Sequence, residues 1–150
     1  TTRAWRHKDG EVSSGQIDAV ARRLRQAKPD QLRVVVVHQP IDVMRKEDLP
    51  NRLHNHQAAQ RAWAAAGADV VMGGHIHLPY VMPLPGLARA LWAVQAGTAV
   101  SSRVRSGVPN SVNVLRWLPA GGCVVKQWDF SAATSAFVCV ASTPIAPQRN

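Results

Sequence analysis

An α/β protein built in layers is the fold class this sequence predicts. Three observations lead there. Strand and helix signals alternate through the first half of the chain, and only strand signals follow in the second half, without an internal repeat. The composition, 46% hydrophobic and 18% charged over 150 residues, is that of one globular domain rather than of a disordered chain, which is poor in apolar residues and rich in charge.

Ser13-Ser14-Gly15-Gln16 has the Ser-x-x-Gln form of a capping box, and Ile17, Val20, Ala21 and Leu24 recur behind it at helical spacing. A helix is therefore expected to run to about Ala27, with Pro29 ending it. Leu32-Arg33-Val34-Val35-Val36-Val37 is short, β-branched and nearly all apolar, the pattern of a strand buried on both faces inside a sheet; it stops at His38-Gln39-Pro40. A second helix is expected from about Asn51, with Leu53, Ala59, Trp63 and Ala66 on one side and Gly67 as its C-terminal cap. Asp69-Val70-Val71-Met72 is the next strand. Gly73-Gly74-His75-Ile76-His77-Leu78-Pro79 holds two glycines and a proline and forms a tight loop at the end of that strand. A proline-rich connection through Pro83, Pro85 and Gly86 leads into a β-meander of Leu91 to Ala96, Ser111 to Leu118, Cys123 to Phe130 and Ala136 to Ala141. Ala120-Gly121-Gly122 is its hairpin turn, and residues 143–150 are a flexible tail.

The 18 Lys and Arg residues against 9 Asp and Glu give a net charge of +9 and a pI near 11.1. Charge of this size raises a polyanion, nucleic acid included, as a partner, because Lys and Arg neutralise phosphates and release counterions. The basic residues are scattered, however, through Arg22-Arg23-Leu24-Arg25, Arg45-Lys46, Arg103 and Arg105, with no polybasic tail and no interleaved aromatic residues to stack bases. A non-catalytic, nucleic-acid-binding basic domain is therefore the alternative reading and not the first. The same arginines fit a solvated helix face or an electropositive rim around a phosphate site.

Cys123 and Cys139 are the only cysteines, which excludes a disulfide-built scaffold and a Cys-x-x-Cys zinc ribbon and suits a reduced, cytoplasmic setting. The longest apolar stretches, such as Val34 to Val37, fall far short of the roughly 18 residues of a membrane-spanning helix, so no membrane partner is expected. Thr1-Thr2-Arg3 carries neither an initiator Met nor a signal peptide, and residue 1 reads as a cut inside a longer protein.

Three histidines stand just beyond the carboxyl ends of apolar strands: His38 after Val34 to Val37, and His75 and His77 after Val70 to Met72. Ligands of open α/β sheets bind outside those strand ends, where a rigid sheet aims the loop side chains. Histidines at i and i+2 in a loop can direct both imidazoles to one region, and Gly74 leaves room for a sharply turned backbone beside them. Imidazole suits Zn, Mn, Fe or Co. His54 and His56, on the expected second helix, read as solvated, and His7 carries no signal.

Val34-Val35-Val36-Val37-His38-Gln39-Pro40 and Val70-Val71-Met72-Gly73-Gly74-His75-Ile76-His77 resemble the last two metal motifs of the calcineurin-like metallophosphoesterases, which also have an amphipathic helix between them. Gly97-Thr98-Ala99-Val100-Ser101-Ser102-Arg103 resembles the strand and loop that follow in the bacterial members, and the similarity runs over roughly residues 12–130. The resemblance implies a layered β-sandwich, two sheets face to face and flanked by helices, of which residues 1–142 are the C-terminal part. It also implies two divalent transition-metal ions (Mn, Fe, Zn or Co), with His38 and His75 on one and His77 on the other. The reaction implied is hydrolysis of a phosphodiester or phosphomonoester by a metal-activated water. Arg103, Arg105 and Asn110 are the candidates for contact with the phosphate-ester substrate, and Thr98 is structural.

The family's Asp-x-His, Gly-Asp-x-x-Asp and Gly-Asn-His-Asp/Glu motifs, which precede its His-x-Pro strand, have no counterpart here. The residues ahead of His38 include Asp9, Asp18 and Asp30 but no Asp-x-His, Gly-Asp or Asn-His, and Asn55-His56 falls after His38. Three neutral imidazoles hold one ion or none. Two cations without a bridging carboxylate repel by several kcal/mol even at an effective dielectric of about 20. The expectation is a chain nearly inactive by itself, half of a longer enzyme's site, whose uncovered apolar face and sheet edge drive self-association into a dimer or larger assembly.

Overall fold

Two valine-rich segments lie side by side in the computed structural model, which describes residues 2–3, 6–118 and 122–148. β1 (Thr2–Arg3) and β2 (Arg6–Gly10) form a small antiparallel ribbon ahead of them. β3 (Val34–Val36) runs parallel to β4 (Val70–Gly73), Val34 opposite Val70 and Val36 opposite Met72. β4 is in turn parallel to β6 (Trp92–Gln95), and β5 (Tyr80–Pro83) is antiparallel to β6, giving a four-stranded sheet in the order β3-β4-β6-β5.

Side chains alternate across this sheet, and each face has its own core. Val35, Val71 and Ala93 share one face and pack with Ile17, Ala21 and Leu24 of α1 (Ser14–Arg25) and with Ala59 and Trp63 of α2 (His56–Ala65). Trp63 fixes the helix pair, since its indole N–H donates to the Ile17 carbonyl at 3.2 Å inside the core. Val70 and Val94 face the other way and pack with Cys123, Val125 and Ile145. Those three belong to an antiparallel sheet of β7 (Ser111–Leu118), β8 (Gly122–Ser131) and β9 (Ala136–Ile145), in that order. The fold is thus mixed α/β, with helices on one face of the central sheet and a second sheet on the other. No helix among the described residues is long and apolar enough to cross a membrane.

The expected capping box is formed: the Gln16 N–H donates to Ser13 Oγ at 3.3 Å and the Ser13 N–H to Gln16 Oε1 at 3.0 Å. The second helix starts later than expected. Residues Lys46–Asn51 make a 3-10 turn containing Pro50, and Leu53 is extended, donating its N–H to the Pro40 carbonyl at 2.9 Å. The helix begins only after Asn55, which turns the chain through the left-handed region at φ 65°. β5 replaces part of the expected proline-rich connection, its Pro83 sitting on an edge strand, where a missing N–H is tolerated. β9 continues to Ile145, which is buried, so the chain is still in a strand past Thr143. Of the expected hairpin turn, residues 120 and 121 lie outside the described residues, and Gly122 begins β8.

The largest departure is β3. Its composition is that of an interior strand, yet it stands at the edge of the sheet, with Val34 36% and Val36 74% exposed and only Val35 buried. Its one partner among the described strands is β4.

His56 is not the solvated histidine that the sequence suggests. It is half-buried at the start of α2 with Nδ1 3.0 Å from the Leu53 carbonyl. Burial, helped by the nearby Arg52 charge, lowers its pKa from the ordinary 6.5, the Leu53 carbonyl opposing. The unfolded chain then binds a proton that the folded chain refuses, so stability is full above pH 6.5 and declines as pH falls below it. We expect the midpoint of thermal unfolding to drop between pH 7 and pH 5 and the drop to shrink in His56→Gln, with identical pH profiles contradicting the assignment.

Candidate metal centre

The parallel ladder of β3 and β4 does not end with the strands. The Val37 N–H donates to the Met72 carbonyl at 2.9 Å, and one step on the Gly74 N–H donates to the His38 carbonyl, also at 2.9 Å. These two bonds carry His38 and His75 to the same end of the sheet. Gly73 is needed there for space, because a Cβ at that position would stand 2.6 Å from Gln95 Oε1 and 3.2 Å from the Gln39 carbonyl. Gln95 in turn donates its side-chain amide to the Gly74 carbonyl.

Beyond Gly74 the backbone is forced into a conformation that side chains disfavour. His75 has φ 74° and His77 φ 55°, both in the left-handed region, where a non-glycine residue costs roughly 1–2 kcal/mol. The alternating residues hold the turn: Ile76 and Leu78 are buried in the helix-side core, while His75 and His77 are half-exposed. Local strain retained in this way is concentrated at functional sites.

The imidazoles meet in one pair. His38 Nε2 lies 3.2 Å from His75 Nδ1, with ring centroids 5.0 Å apart and planes at 65°. Two nitrogens that bind one ion at about 2.0–2.1 Å stand about 3.3 Å apart at the tetrahedral angle, so the pair has the spacing of two ligands on one ion. His77 is oriented differently: its Nδ1 lies 2.8 Å from the Arg103 carbonyl and must carry the proton it donates. That tautomer leaves the lone pair on Nε2, the arrangement by which ligating histidines are commonly held. Among the described residues, no three His, Cys, Asp or Glu side chains converge closely enough to hold a metal ion. Among the described residues, the donor set that the geometry brings together is the two nitrogens of His38 and His75.

A cleft of about 780 Å³ opens beside the loop, lined by His75, His77, Arg103, Arg105, Glu47 and Asp48 among others. The three residues expected to contact substrate differ sharply here. Arg105 is committed to structure: its guanidinium meets Asp48 and Glu47 at 2.9 Å each and the Ile76 carbonyl at 3.4 Å. Its hydrogen bond to Asp48 raises an already high pKa, and it stays charged throughout the accessible range. Asn110, with its amide nitrogen turned inward, donates to the carbonyls of Ser101 at 3.0 Å and Thr98 at 3.1 Å and so ties the 98–110 loop together. Arg103 is exposed at the cleft and forms no ion pair among the described residues.

Asp48 is the site residue that sequence reasoning missed. It sits in Lys46-Glu47-Asp48, a charged stretch of the 3-10 turn with no motif to mark it, and only the fold shows that it is buried against Arg105. Arg105→Ala leaves that carboxylate without its cation, and a lost hydrogen bond to a charged group costs about 2 kcal/mol. Urea denaturation should show a loss of that size for Arg105→Ala and under about 0.5 kcal/mol for the exposed Arg103→Ala; equal effects would contradict the division of roles. Compared with models of known protein families and with curated proteins, the chain finds no match.

Proposed function

We propose that the chain carries half of the metal site of a phosphoesterase that cleaves a phosphodiester or phosphomonoester. The observation that carries the reading is the His38–His75 pair at ligand spacing on the ends of adjacent parallel strands. The motif resemblance to the calcineurin-like metallophosphoesterases, with their layered sandwich, supports the same reading. His38 and His75 hold one divalent ion of Mn, Fe, Zn or Co, whose chemistry is polarisation of a phosphoryl oxygen and acidification of a water.

The protein groups have separate tasks. The Arg103 carbonyl keeps His77 in the tautomer that presents Nε2, and the Arg103 guanidinium supplies planar donors for phosphate oxygens. Arg105 braces the loop through Ile76 and Asp48. His77 alone does not make a second metal site.

The test is Mn²⁺-dependent hydrolysis of bis(4-nitrophenyl) phosphate by the protein. His38→Ala and His75→Ala should each lower turnover at least about hundredfold, as loss of a metal-binding group does. Undiminished turnover in either variant, or turnover indifferent to metal, would overturn the proposal.

A further inference from the structure

The end of the central sheet opposite the histidine pair gathers positive charge without a counterion. A pocket of about 340 Å³ lies there, between the carboxyl ends of α1 and α2 and the segments that lead into β3 and β6. Arg25, Arg33 and Arg89 line it, beside the short side chains of Pro29, Ala65 and Ala66, and no acidic residue does. Asp69, the carboxylate that two of these segments share, is fully buried and already used. One of its oxygens accepts the Arg89 guanidinium at 3.0 Å and the other accepts the Arg33 backbone N–H at 2.9 Å.

Arg33 is the least satisfied of the three. It is half-buried and forms no ion pair among the described residues, and its Nε is buried without an acceptor. Its two Nη groups reach only neutral carbonyls, Gly67 at 3.4 Å and Ala27 at 3.5 Å, the far limit of a hydrogen bond. Gly67 leaves room for it, since a Cβ there would stand 2.8 Å from Arg33 Nη1. Arg89 also has a buried Nε without an acceptor, and its hydrogen bonds to Asp69 and to the Gln148 carbonyl both leave from Nη2. Arg25 is exposed at the rim and unpaired among the described residues. A partly buried cation without a counterion is destabilising, and like charges around one small space repel unless an anion stands between them.

We infer that this pocket binds a phosphate dianion, free or as the terminal phosphate of a small ester. Guanidinium forks match phosphate oxygens in pairs, and a dianion offsets the excess charge that a single carboxylate would leave. Arg33 and Arg89 meet it from the sheet side and Arg25 closes it from the rim. The volume is at the small end of the range for ligand pockets, and Pro29, Ala65 and Ala66 offer a short apolar wall to the organic part of an ester. None of these residues lines the cleft beside His75 and His77, so this is a second site, independent of the hydrolytic reading.

The test is calorimetric titration of the metal-free whole chain with inorganic phosphate and with phenyl phosphate, at matched ionic strength and about pH 8, where both are dianions. We expect one phosphate per chain and a thermal midpoint that climbs with phosphate concentration. Arg25→Glu should weaken binding at least about tenfold, the worth of one charge-assisted contact. Arg33→Met should abolish binding while leaving the phosphate-free thermal midpoint unchanged or higher, because an apolar chain of similar length replaces an unpaired cation. Arg25→Glu changes an exposed residue and decides the matter if Arg33→Met loses its fold. Arg103→Ala should bind as the parent chain does. Tighter binding of phenyl phosphate than of inorganic phosphate identifies an esterified ligand, and the reverse order the free anion. No binding, equal binding of the monoanion dimethyl phosphate, full binding in Arg25→Glu, or loss of binding in Arg103→Ala would overturn the inference.

Discussion

Everything at the candidate site depends on the parallel pairing of β3 with β4. A parallel ladder brings the carboxyl ends of two strands to one side of the sheet, and here the ladder continues through the Val37–Met72 and Gly74–His38 backbone bonds until it has set two histidines beside each other. The far end is pinned as firmly. Asp69, fully buried, accepts the Arg33 backbone N–H at 2.9 Å and the Arg89 guanidinium at 3.0 Å, so the register of β3 against β4 is held at its start by a charge and along its length by two cores. A slip of one residue would send Val35 and Val71 to the wrong face and part the imidazoles.

The Gly-Gly-His-Ile-His loop is then a case of strain kept in place by its surroundings. Two left-handed histidines cost about 2–4 kcal/mol together. Burial of Ile76 and Leu78, worth roughly 1.5–3 kcal/mol each, offsets that cost. Arg105 adds a brace from the opposite side by joining the Ile76 carbonyl to the buried Asp48. A loop so over-determined presents its imidazoles in a fixed arrangement, and this matters for metal affinity because a preformed pair loses little freedom on binding.

Much of this was legible in the residues, and the failures have physical causes. The capping box at Ser13, the valine strand, the tight loop after Met72 and the last three strands of the expected meander follow from local pattern and local turn chemistry, which short-range physics decides; its expected first strand, Trp92–Gln95, instead pairs in parallel with β4 in the central sheet. The positions of His38, His75 and His77 relative to their strands followed from the same local reading. Register and neighbours did not: that His38 meets His75 while His77 turns to the Arg103 carbonyl is set by tertiary pairing. The start of the second helix was misplaced because Leu53, apolar and in phase with Ala59 and Trp63, is buried equally well in an extended segment bonded to Pro40. The edge position of β3 could not be read at all, since a run of valines reports what a strand wants around it and not what the described chain provides. Arg105 and Asn110 showed the same limit: an arginine and an asparagine in a loop near a phosphate motif look alike whether they face a ligand or, as here, hold the loop.

The proposed metal site requires His38 and His75 to be two ligands of one ion and not only a hydrogen-bonded pair. The direct measurement is the ¹⁵N chemical shift of the histidine ring nitrogens as one equivalent of Zn²⁺ is added to the labelled chain. Zinc at this site shifts His38 Nε2 and His75 Nδ1 together and leaves His54 and His56 unchanged. Shifts confined to His54 or His56, or none at His38 and His75, would contradict it.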